Sequence, residues 1–207
     1  MRIERPLSSR ALQRGALDGR QPSMRIRWRR LLAKSWVVSR WHYRRHGLVL
    51  GGRPSDEIWY FAYGSNMDEG TSIGRRGITP LDRRVGRIIG YRLRFNLEGR
   101  PKGKAAPANI CPDADQEVWG VLYKITRRDL LRLDSTEGVP GHGYRPMWLN
   151  ATDMDGSSVE AVTYVATGKK LDGRPSFRYI SLLRNGARFH GLPDHWLQLL
   201  DSVKHAD

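Results

Sequence analysis

The sequence predicts an α+β fold built on a closed or strongly curled sheet, and three observations support this prediction. Five or more segments carry apolar side chains at every second position or in short apolar runs, which is typical of strands. Three other segments carry the apolar spacing and capping residues of helices. These strands and helices do not alternate regularly, as they would in a parallel α/β sheet, so an α+β arrangement is favoured.

The predicted strands lie between residues 58 and 166. The first, residues 58–62, is a short apolar run that stops at a Gly-Ser-Asn turn. Residues 91–97 and 119–125 carry large apolar side chains at alternate positions, so each is predicted to be a half-buried strand. Residues 144–149 and 159–166 are further strand candidates.

The predicted helices are placed by their capping residues. Thr126 and Asp129 form a capping pair that opens a short helix through Leu133. Ser176 caps a longer helix that ends before Gly191. The apolar face of that helix is formed by Tyr179, Ile180, Leu183 and Ala187. A last short helix is indicated by Trp196, Leu197 and Leu200.

The net charge of +15 over 207 residues is concentrated at the front of the chain. Residues 1–55 hold fourteen Lys and Arg and two acidic residues, a balance of +12, whereas residues 56–207 hold twenty-two and nineteen, a balance of +3. This shift, together with a Gly-Gly-Arg-Pro-Ser linker at 51–55, predicts a domain boundary. We expect residues 56–207 to form the domain and residues 1–55 to be a basic extension.

The basic extension has several interpretations. Residues 24–46 place Trp28, Leu32 and Trp36 four apart among arginines, as in a basic amphipathic helix that binds an anionic membrane or a nucleic acid. A targeting peptide is also rich in Arg and poor in acidic residues. We expect instead a disordered tail or a mis-assigned translation start, because residues 1–23 show no apolar period.

Most catalytic arrangements fit the sequence poorly. Cys111 is the only cysteine, which excludes an internal disulfide and a cysteine-rich zinc cage, and we expect it to be a buried, inert thiol. Ser65 lacks the Gly-x-Ser-x-Gly elbow of a hydrolase. The histidines lack zinc-site spacing, and His190 and His195 are predicted to be surface groups at helix ends. No phosphate-binding glycine motif and no apolar stretch of about 18 residues occurs, so we expect a cytoplasmic protein without metal or cofactor.

Two features remain as candidate chemistry. The turn at Gly64 and Ser65 directly follows a buried strand, where unpaired backbone N–H groups can form an oxyanion site. Glu137 follows a predicted helix and lies between small and apolar residues, where partial burial suits a general base. Each feature alone is weak evidence, because tight turns and loop acids usually have no catalytic role.

The chain from about residue 58 to residue 203 resembles the gamma-glutamylcyclotransferase family. A Tyr-Gly-Ser-Asn loop after the first strand is typical of that family and occurs here at 63–66. Four further segments agree in order and spacing: EVWGV at 117–121, LD and EGV within 133–139, Tyr144, and GA and GLP within 186–193. The resemblance implies a small mixed β-barrel flanked by helices, which agrees with the α+β prediction.

The resemblance also implies which residues form the site. Glu137 aligns with the catalytic glutamate of the family. The substrate loop aligns with Tyr60, Phe61, Ala62, Tyr63, Gly64, Ser65 and Asn66. Two substrate-side tyrosines align with Tyr144 and Tyr179. The Asn-Met end of the loop resembles the branch that acts on γ-glutamyl amino acids or amines, and not the branch specific for intact glutathione.

The implied reaction is an intramolecular cyclisation. The α-amine of a γ-glutamyl group attacks its own γ-carbonyl carbon, forms 5-oxoproline and releases an amino acid or amine. Glu137 is expected to move the proton, and the backbone N–H groups of Gly64 and Ser65 are expected to stabilise the oxyanion. The leaving-group pocket is expected near residues 101–107 and 139–143.

The expected partner is a small γ-glutamyl compound, with no metal, no cofactor and no nucleic acid bound by the domain, which is expected to be a monomer or a homodimer. Two other classes of function stay open on the sequence. One is a non-catalytic barrel that binds a small ligand, and the other is a membrane or nucleic-acid binder that acts through residues 24–46.

Overall fold

The structure is a computed structural model that describes residues 53–97, 106–137, 143–166 and 171–206. The predictions made for the basic extension therefore lie outside the described residues, apart from positions 53–55. The same holds for most of the predicted leaving-group pocket, namely residues 101–105 and 139–142.

Within the described residues, five strands form a closed barrel. They are β1 (Glu57–Ala62), β2 (Asp82–Arg94), β3 (Asn109–Thr126), β4 (Tyr144–Asp153) and β5 (Ser158–Ala166). Their order around the barrel is β1-β3-β2-β4-β5. β1 pairs antiparallel with β3 and parallel with β5, so the barrel is mixed. The predicted α+β fold with a small mixed β-barrel is confirmed.

The second strand begins nine residues earlier than the alternation predicts. It spans Asp82–Arg94, whereas the apolar period covers 91–97. The first part of β2 carries exposed Asp and Arg side chains, so no alternation with apolar residues is visible there. Gly90, with a φ of 82°, lies at a shift in the pairing register with β3. Phe95 and Asn96 are buried, but they lie beyond the end of the strand.

The third strand is buried on both faces over residues 118–123, and the prediction of a half-buried strand is wrong there. β3 pairs with β1 along one edge and with β2 along the other, and it also contacts the first helix. A strand that is covered on every side has no solvent-facing positions. The large residues at alternate positions therefore form only one of its two buried faces, and the residues between them form the other.

Three α-helices in the described part of the chain flank the barrel. They are α1 (Arg127–Thr136), α2 (Phe177–Phe189) and α3 (Asp194–Ser202). The predicted caps are confirmed: Thr126 accepts a hydrogen bond from the Asp129 N–H at 3.2 Å, and Ser176 accepts one from the Tyr179 N–H at 3.2 Å. α1 runs three residues farther than predicted, so that Glu137 follows it directly.

The segment after β1 is helical, which the sequence analysis did not predict. A 3₁₀ turn at Ser65–Met67 is followed by a π-helical turn at Gly70–Arg75. α2 packs against the 3₁₀ turn at Gly186, where an added Cβ would lie 2.6 Å from the carbonyl carbon of Met67. The missing side chain at Gly186 therefore allows α2 to hold this turn against the barrel.

The chain before β1 packs on the start of α1. The N–H of Arg127 donates to the carbonyl oxygen of Asp56 at 2.9 Å, and the N–H of Arg128 donates to that of Pro54 at 3.0 Å. These two bonds satisfy backbone donors that a helix start leaves without an intrahelical partner. The described fold therefore includes part of the predicted linker.

Candidate active site

A narrow cavity beside β1 and the turn after it brings most of the predicted site residues together. Its volume is about 30 Å³. Eight of the predicted residues line it: Tyr60, Tyr63, Gly64, Ser65, Asn66, Glu137, Tyr144 and Tyr179. Ala108 and Tyr164 complete the described lining. Glu137 is the only carboxylate among these residues, so it is the candidate for proton transfer.

One of the two carboxylate oxygens of Glu137 is anchored by neighbouring side chains. Oε1 accepts a hydrogen bond from Asn66 Nδ2 at 2.9 Å and lies 3.2 Å from Arg76 Nη2. The Glu137 side chain is only 13% exposed. In the part of the chain that the structure describes, no hydrogen-bond donor or cation is assigned to Oε2. This oxygen can therefore face a substrate.

α1 positions Glu137 by burying its apolar face. Leu130 and Leu133 are fully buried, and each such side chain contributes about 1.5–3 kcal/mol to stability. Asp134 is also fully buried and accepts a hydrogen bond from the Tyr164 hydroxyl at 2.6 Å. The N–H of Glu137 donates to the Leu133 carbonyl oxygen at 2.8 Å. Rotation of the helix end would expose the leucines and break a buried hydrogen bond.

Asn66 connects Glu137 to Tyr60. Its Nδ2 donates to the Tyr60 hydroxyl at 2.8 Å as well as to Glu137 Oε1. The Asn66 side chain is buried, and its Oδ1 accepts no hydrogen bond from any described residue. A buried acceptor without a donor costs about 1–3 kcal/mol. Oδ1 is therefore suited to accept an N–H group of a substrate.

Four tyrosines of the cavity stay protonated near neutral pH. Burial raises the pKa of three of them, Tyr60, Tyr63 and Tyr144, well above the ordinary value. Burial also raises the pKa of Tyr179, to about 12. A phenol with such a pKa can donate and accept hydrogen bonds, but it is not a base at neutral pH. This leaves the carboxylate of Glu137 for that role.

The Tyr179 hydroxyl lies against the turn after β1. It accepts a hydrogen bond from the Ala108 N–H at 3.1 Å, and the polar groups of the nearby Ser65 act to lower the Tyr179 pKa against the larger effect of burial. A Cβ on Gly64 would lie 3.2 Å from the hydroxyl oxygen, whereas the Gly64 φ of −114° is accessible to other residues. Gly64 is therefore required for space and not for a left-handed backbone. Ser65 and Tyr179 both line the cavity, so the Ser65 N–H and the Tyr179 hydroxyl are neighbouring candidate donors for a substrate oxyanion.

Tyr63 and Tyr144 use their hydroxyls to hold the walls of the cavity. The Tyr63 hydroxyl donates to the backbone carbonyl oxygen of Tyr164 at 2.5 Å. The Tyr144 hydroxyl donates to the carbonyl oxygen of Ala108 at 2.8 Å. Both donors are thus occupied by the backbone, and the two rings remain as surfaces against which a substrate can pack.

Comparison with known proteins agrees with the fold. The sequence model of the AIG2-like family matches residues 117–200, a range that includes Glu137. The chain is 29% identical over 164 residues to the gamma-glutamylcyclotransferase of Bos taurus, and the alignment covers 76% of this chain and 85% of the relative. The gamma-glutamylcyclotransferase of Homo sapiens is 28% identical over 162 residues, covering 75% and 84%.

A solved structure of a gamma-glutamyl cyclotransferase superposes on this chain with a TM-score of 0.65. It is 26% identical and covers 73% of this chain and 90% of its own. The chain is similar to the AIG2-like family over residues 117–200, and it has the fold of this gamma-glutamyl cyclotransferase. The alignments leave about a quarter of the chain unmatched.

Two predicted substrate-loop residues do not line the cavity. Phe61 and Ala62 are fully buried in β1, and they pair with Leu122 and Val121 of β3. Their side chains belong to the core of the domain. They contribute to the site indirectly, because their packing fixes the strand that carries Tyr60 and leads into the turn.

Three residues at the site were missed by sequence reasoning: Arg76, Ala108 and Tyr164. Arg76 follows the π-helical turn, and an arginine in a loop usually has no partner other than solvent. Tyr164 lies in an apolar strand, where an aromatic side chain is typical of a core. Ala108 carries no functional group that a sequence pattern could single out.

Two predictions about reactive side chains are wrong. Cys111 is half-buried, and Asn96 and Asn109 contact its sulfur at 3.5 and 3.6 Å, so it is not a buried core thiol. His190 is half-buried at the end of α2, where its Nε2–H donates to the Met67 carbonyl oxygen at 3.0 Å, so it is not a surface group. Burial lowers the pKa of His190. His195 is exposed as predicted.

Within the described ranges, no group of three His, Cys, Asp or Glu side chains is arranged to hold a metal ion. None of the helices found there has the length and apolar character needed to cross a membrane.

Proposed function

We propose that this protein is a gamma-glutamylcyclotransferase, which cyclises a γ-glutamyl group to 5-oxoproline and releases an amino acid or amine. The proposal rests on the contacts of the Glu137 carboxylate. Asn66 and Arg76 anchor its Oε1, whereas Oε2 has no partner among the described residues. The relatives that match this chain are named for the same activity, which supports the assignment.

The substrate supplies its own nucleophile in this reaction. The α-amine nitrogen bonds to the γ-carbonyl carbon and closes a five-membered lactam, and the bond from that carbon to the leaving nitrogen breaks. Holding the two groups in a reactive geometry is worth about 7–11 kcal/mol. The tyrosine walls can provide this positioning, so no covalent bond to the protein is required.

Glu137 carries the proton between the two nitrogens. Oε2 takes it from the attacking amine and returns it to the leaving nitrogen, so that the carboxylate is regenerated. The Arg76 guanidinium balances the carboxylate charge from 3.2 Å on the opposite oxygen. The free Oδ1 of Asn66 accepts a second N–H of the amine and directs the nitrogen lone pair toward the carbonyl carbon.

The oxyanion of the tetrahedral intermediate is stabilised by the turn and by Tyr179. The Tyr179 oxygen accepts the Ala108 N–H, which polarises the hydroxyl and strengthens it as a donor. The N–H groups of Gly64 and Ser65 are the further candidate donors. Loss of one donor of this kind typically costs about 3–4 kcal/mol of transition-state stabilisation.

The test is to assay the full-length protein and its Glu137→Gln variant for release of 5-oxoproline from a panel of γ-glutamyl amino acids and amines. Gln keeps the size of the side chain and an acceptor for Asn66, but it cannot carry the proton. We expect kcat to fall at least a hundredfold. Glu160→Gln makes the same change at an exposed position of β5 and should retain full activity. Undiminished turnover by a folded Glu137→Gln variant would contradict the proposal, and binding without turnover by the unchanged protein would favour a non-catalytic barrel.

A further inference from the structure

A second cavity of about 430 Å³ adjoins the narrow cavity around Glu137. The two cavities share Ser65 and Tyr179 in their walls. The narrow cavity, at about 30 Å³, has room for only a small group. A γ-glutamyl compound whose reacting amide lies near Glu137 therefore extends into the larger cavity, which receives the leaving group.

The larger cavity is positively charged. Its described lining includes Arg75, Arg76 and Arg178 and no acidic residue. Arg76 is already paired with Glu137. Arg75 and Arg178 are exposed, and neither forms an ion pair with any residue in the described ranges. Two uncompensated guanidinium groups in a concave surface attract an anionic group.

The positions of the carboxylates in the substrate indicate different partners for the three arginines. The α-carboxylate of the γ-glutamyl group is attached to the same carbon as the attacking amine, so an amine held at Glu137 keeps this carboxylate beside Glu137, the residue with which Arg76 is paired. Arg75 and Arg178 then remain for the leaving group. A leaving amine without a carboxylate would give neither of them a partner.

We propose, on the basis of the function proposed above, that Arg75 and Arg178 select a leaving amino acid that carries two carboxylates. One guanidinium binds the α-carboxylate of the leaving amino acid, and the other binds the carboxylate of its side chain. Guanidinium and carboxylate groups form paired, charge-assisted hydrogen bonds that a neutral amide cannot replace. The substrate class is thus the γ-glutamyl conjugates of acidic amino acids.

Two isosteric substrates test this proposal, γ-glutamyl-glutamate and γ-glutamyl-glutamine. They share both α-carboxylates and differ only in the charge at the end of the leaving side chain. We expect the full-length protein to have a kcat/KM at least about tenfold higher for γ-glutamyl-glutamate, the effect of one charge-assisted hydrogen bond that is open to solvent. The ratio should decrease as the salt concentration rises, because exposed charges are screened.

Substitutions assign the preference to the two arginines. One of the variants Arg75→Gln and Arg178→Gln should lower the ratio of the two kcat/KM values, because it removes the guanidinium that binds the side-chain carboxylate. The other should lower both kcat/KM values together, because the α-carboxylate that it leaves unpaired is common to the two substrates. Lys in place of the arginine that sets the ratio should retain part of the preference because the charge is kept. Arg128→Gln removes an exposed arginine of α1 outside both cavities and should leave the ratio unchanged. Equal kcat/KM values for the two substrates, or a ratio insensitive to both arginine variants, would overturn the proposal.

Binding to the inactive Glu137→Gln protein separates this proposal from the proposed function. Calorimetry with that variant measures the affinity for each γ-glutamyl compound without turnover. Tighter binding of γ-glutamyl-glutamate that is lost in one arginine variant, together with weaker binding of both compounds in the other, supports the anion site even if no 5-oxoproline is formed by the unchanged protein. If 5-oxoproline is formed from both compounds and their affinities are equal, the cyclotransferase function is supported and the anion site is overturned. Failure to bind either compound would count against the proposed function and the anion site alike.

Discussion

The side chains of Asn66 and Glu137 lie 2.9 Å apart although 71 positions separate them in the chain. The contact joins the turn after β1 to the end of α1, and it anchors one carboxylate oxygen of Glu137. In the proposed reaction, Asn66 is therefore a positioning residue for the base, and its Oδ1 accepts an N–H of the substrate amine.

Asn66→Ala is expected to lower kcat by about ten- to a hundredfold, because it removes a hydrogen bond to a charged group worth about 1.5–3 kcal/mol. The effect should fall on kcat more than on KM, since the amide orients the base and contacts only one part of the substrate. Steady-state kinetics with any turned-over γ-glutamyl compound measures the two constants. Asn150→Ala changes an exposed asparagine of β4 and serves as the matched control. A normal kcat in Asn66→Ala would show that Glu137 does not need this anchor.

Tyr179→Phe tests the proposed oxyanion donor. The change removes one hydroxyl and leaves the Ala108 N–H without its acceptor, so we expect kcat/KM to fall by about a hundred- to a thousandfold, which corresponds to the loss of about 2.7–4 kcal/mol typical of such donors. Tyr91→Phe removes a hydroxyl from a partly buried tyrosine of β2 that is not part of the cavity, and its activity should stay near that of the unchanged protein. Equal activities of the two variants would show that Tyr179 only lines the cavity and does not donate a hydrogen bond to the oxyanion.

Gly186→Ala is expected to reduce both stability and activity. The new Cβ would meet backbone atoms of Met67 and Asp68 at 2.6–2.8 Å, and overpacking of this kind costs about 1–3 kcal/mol. The melting temperature should fall by several degrees, and kcat should fall because a displaced 3₁₀ turn moves Asn66 away from Glu137.

Gly74→Ala is the matched control for this change, since an added Cβ at Gly74 meets nothing within 4 Å. Alanine should be neutral or slightly stabilising there, because it has less freedom to lose on folding than glycine. Thermal unfolding of both variants decides the matter, and a Gly186→Ala protein as stable as Gly74→Ala would refute the close approach of α2 to the turn.

His190 makes the folded state sensitive to acid. Burial lowers the pKa of His190 in the folded protein, whereas the unfolded chain has the ordinary value of about 6.5. Below pH 6.5 the unfolded state therefore binds the proton more readily. The contribution of His190 to stability is complete above pH 6.5 and is lost as the pH falls through the lowered pKa of the folded state.

His190→Gln keeps a donor for the Met67 carbonyl oxygen and removes the titration. Urea unfolding at pH 7.5 and pH 5.5 should show a smaller loss of unfolding free energy for this variant than for the unchanged protein. His195→Gln removes an exposed imidazole and controls for the substitution itself. The same pH-dependent loss in His190→Gln and in the unchanged protein would remove His190 as the cause.

The helices were predicted well because their signals are local. Thr126 and Ser176 cap the helices they were expected to cap, since a capping hydrogen bond spans only three residues. The start of β2 was missed because its exposed Asp and Arg side chains carry no apolar period. The burial of β3 on both faces was missed for a related reason. Burial depends on the elements that cover a strand, and the sequence of the strand does not show which elements these are.

Most of the candidate site was predicted from the resemblance of separate motifs to one family. That resemblance indicates which loop, which acid and which two tyrosines belong to the site, but it gives no distances between them. Sequence alone could not distinguish Phe61 and Ala62, which are buried in the core, from Tyr60 and Tyr63, which line the cavity. The pairing of β1 with β3 and β5 decides that the side of the strand that carries Tyr60, and not the side that carries Phe61, faces the site.

The sequence by itself determined the α+β class, the helix caps and the presence of one acid with a glycine turn, because periodicity, capping and turn chemistry act over a few residues. Only the tertiary structure decided that Asn66 and Arg76 share one oxygen of Glu137 and that Gly186 holds the turn beside them. Closure of the barrel and docking of α2 on the turn create these contacts between distant segments, so their distances depend on the whole fold and no short stretch of sequence contains them.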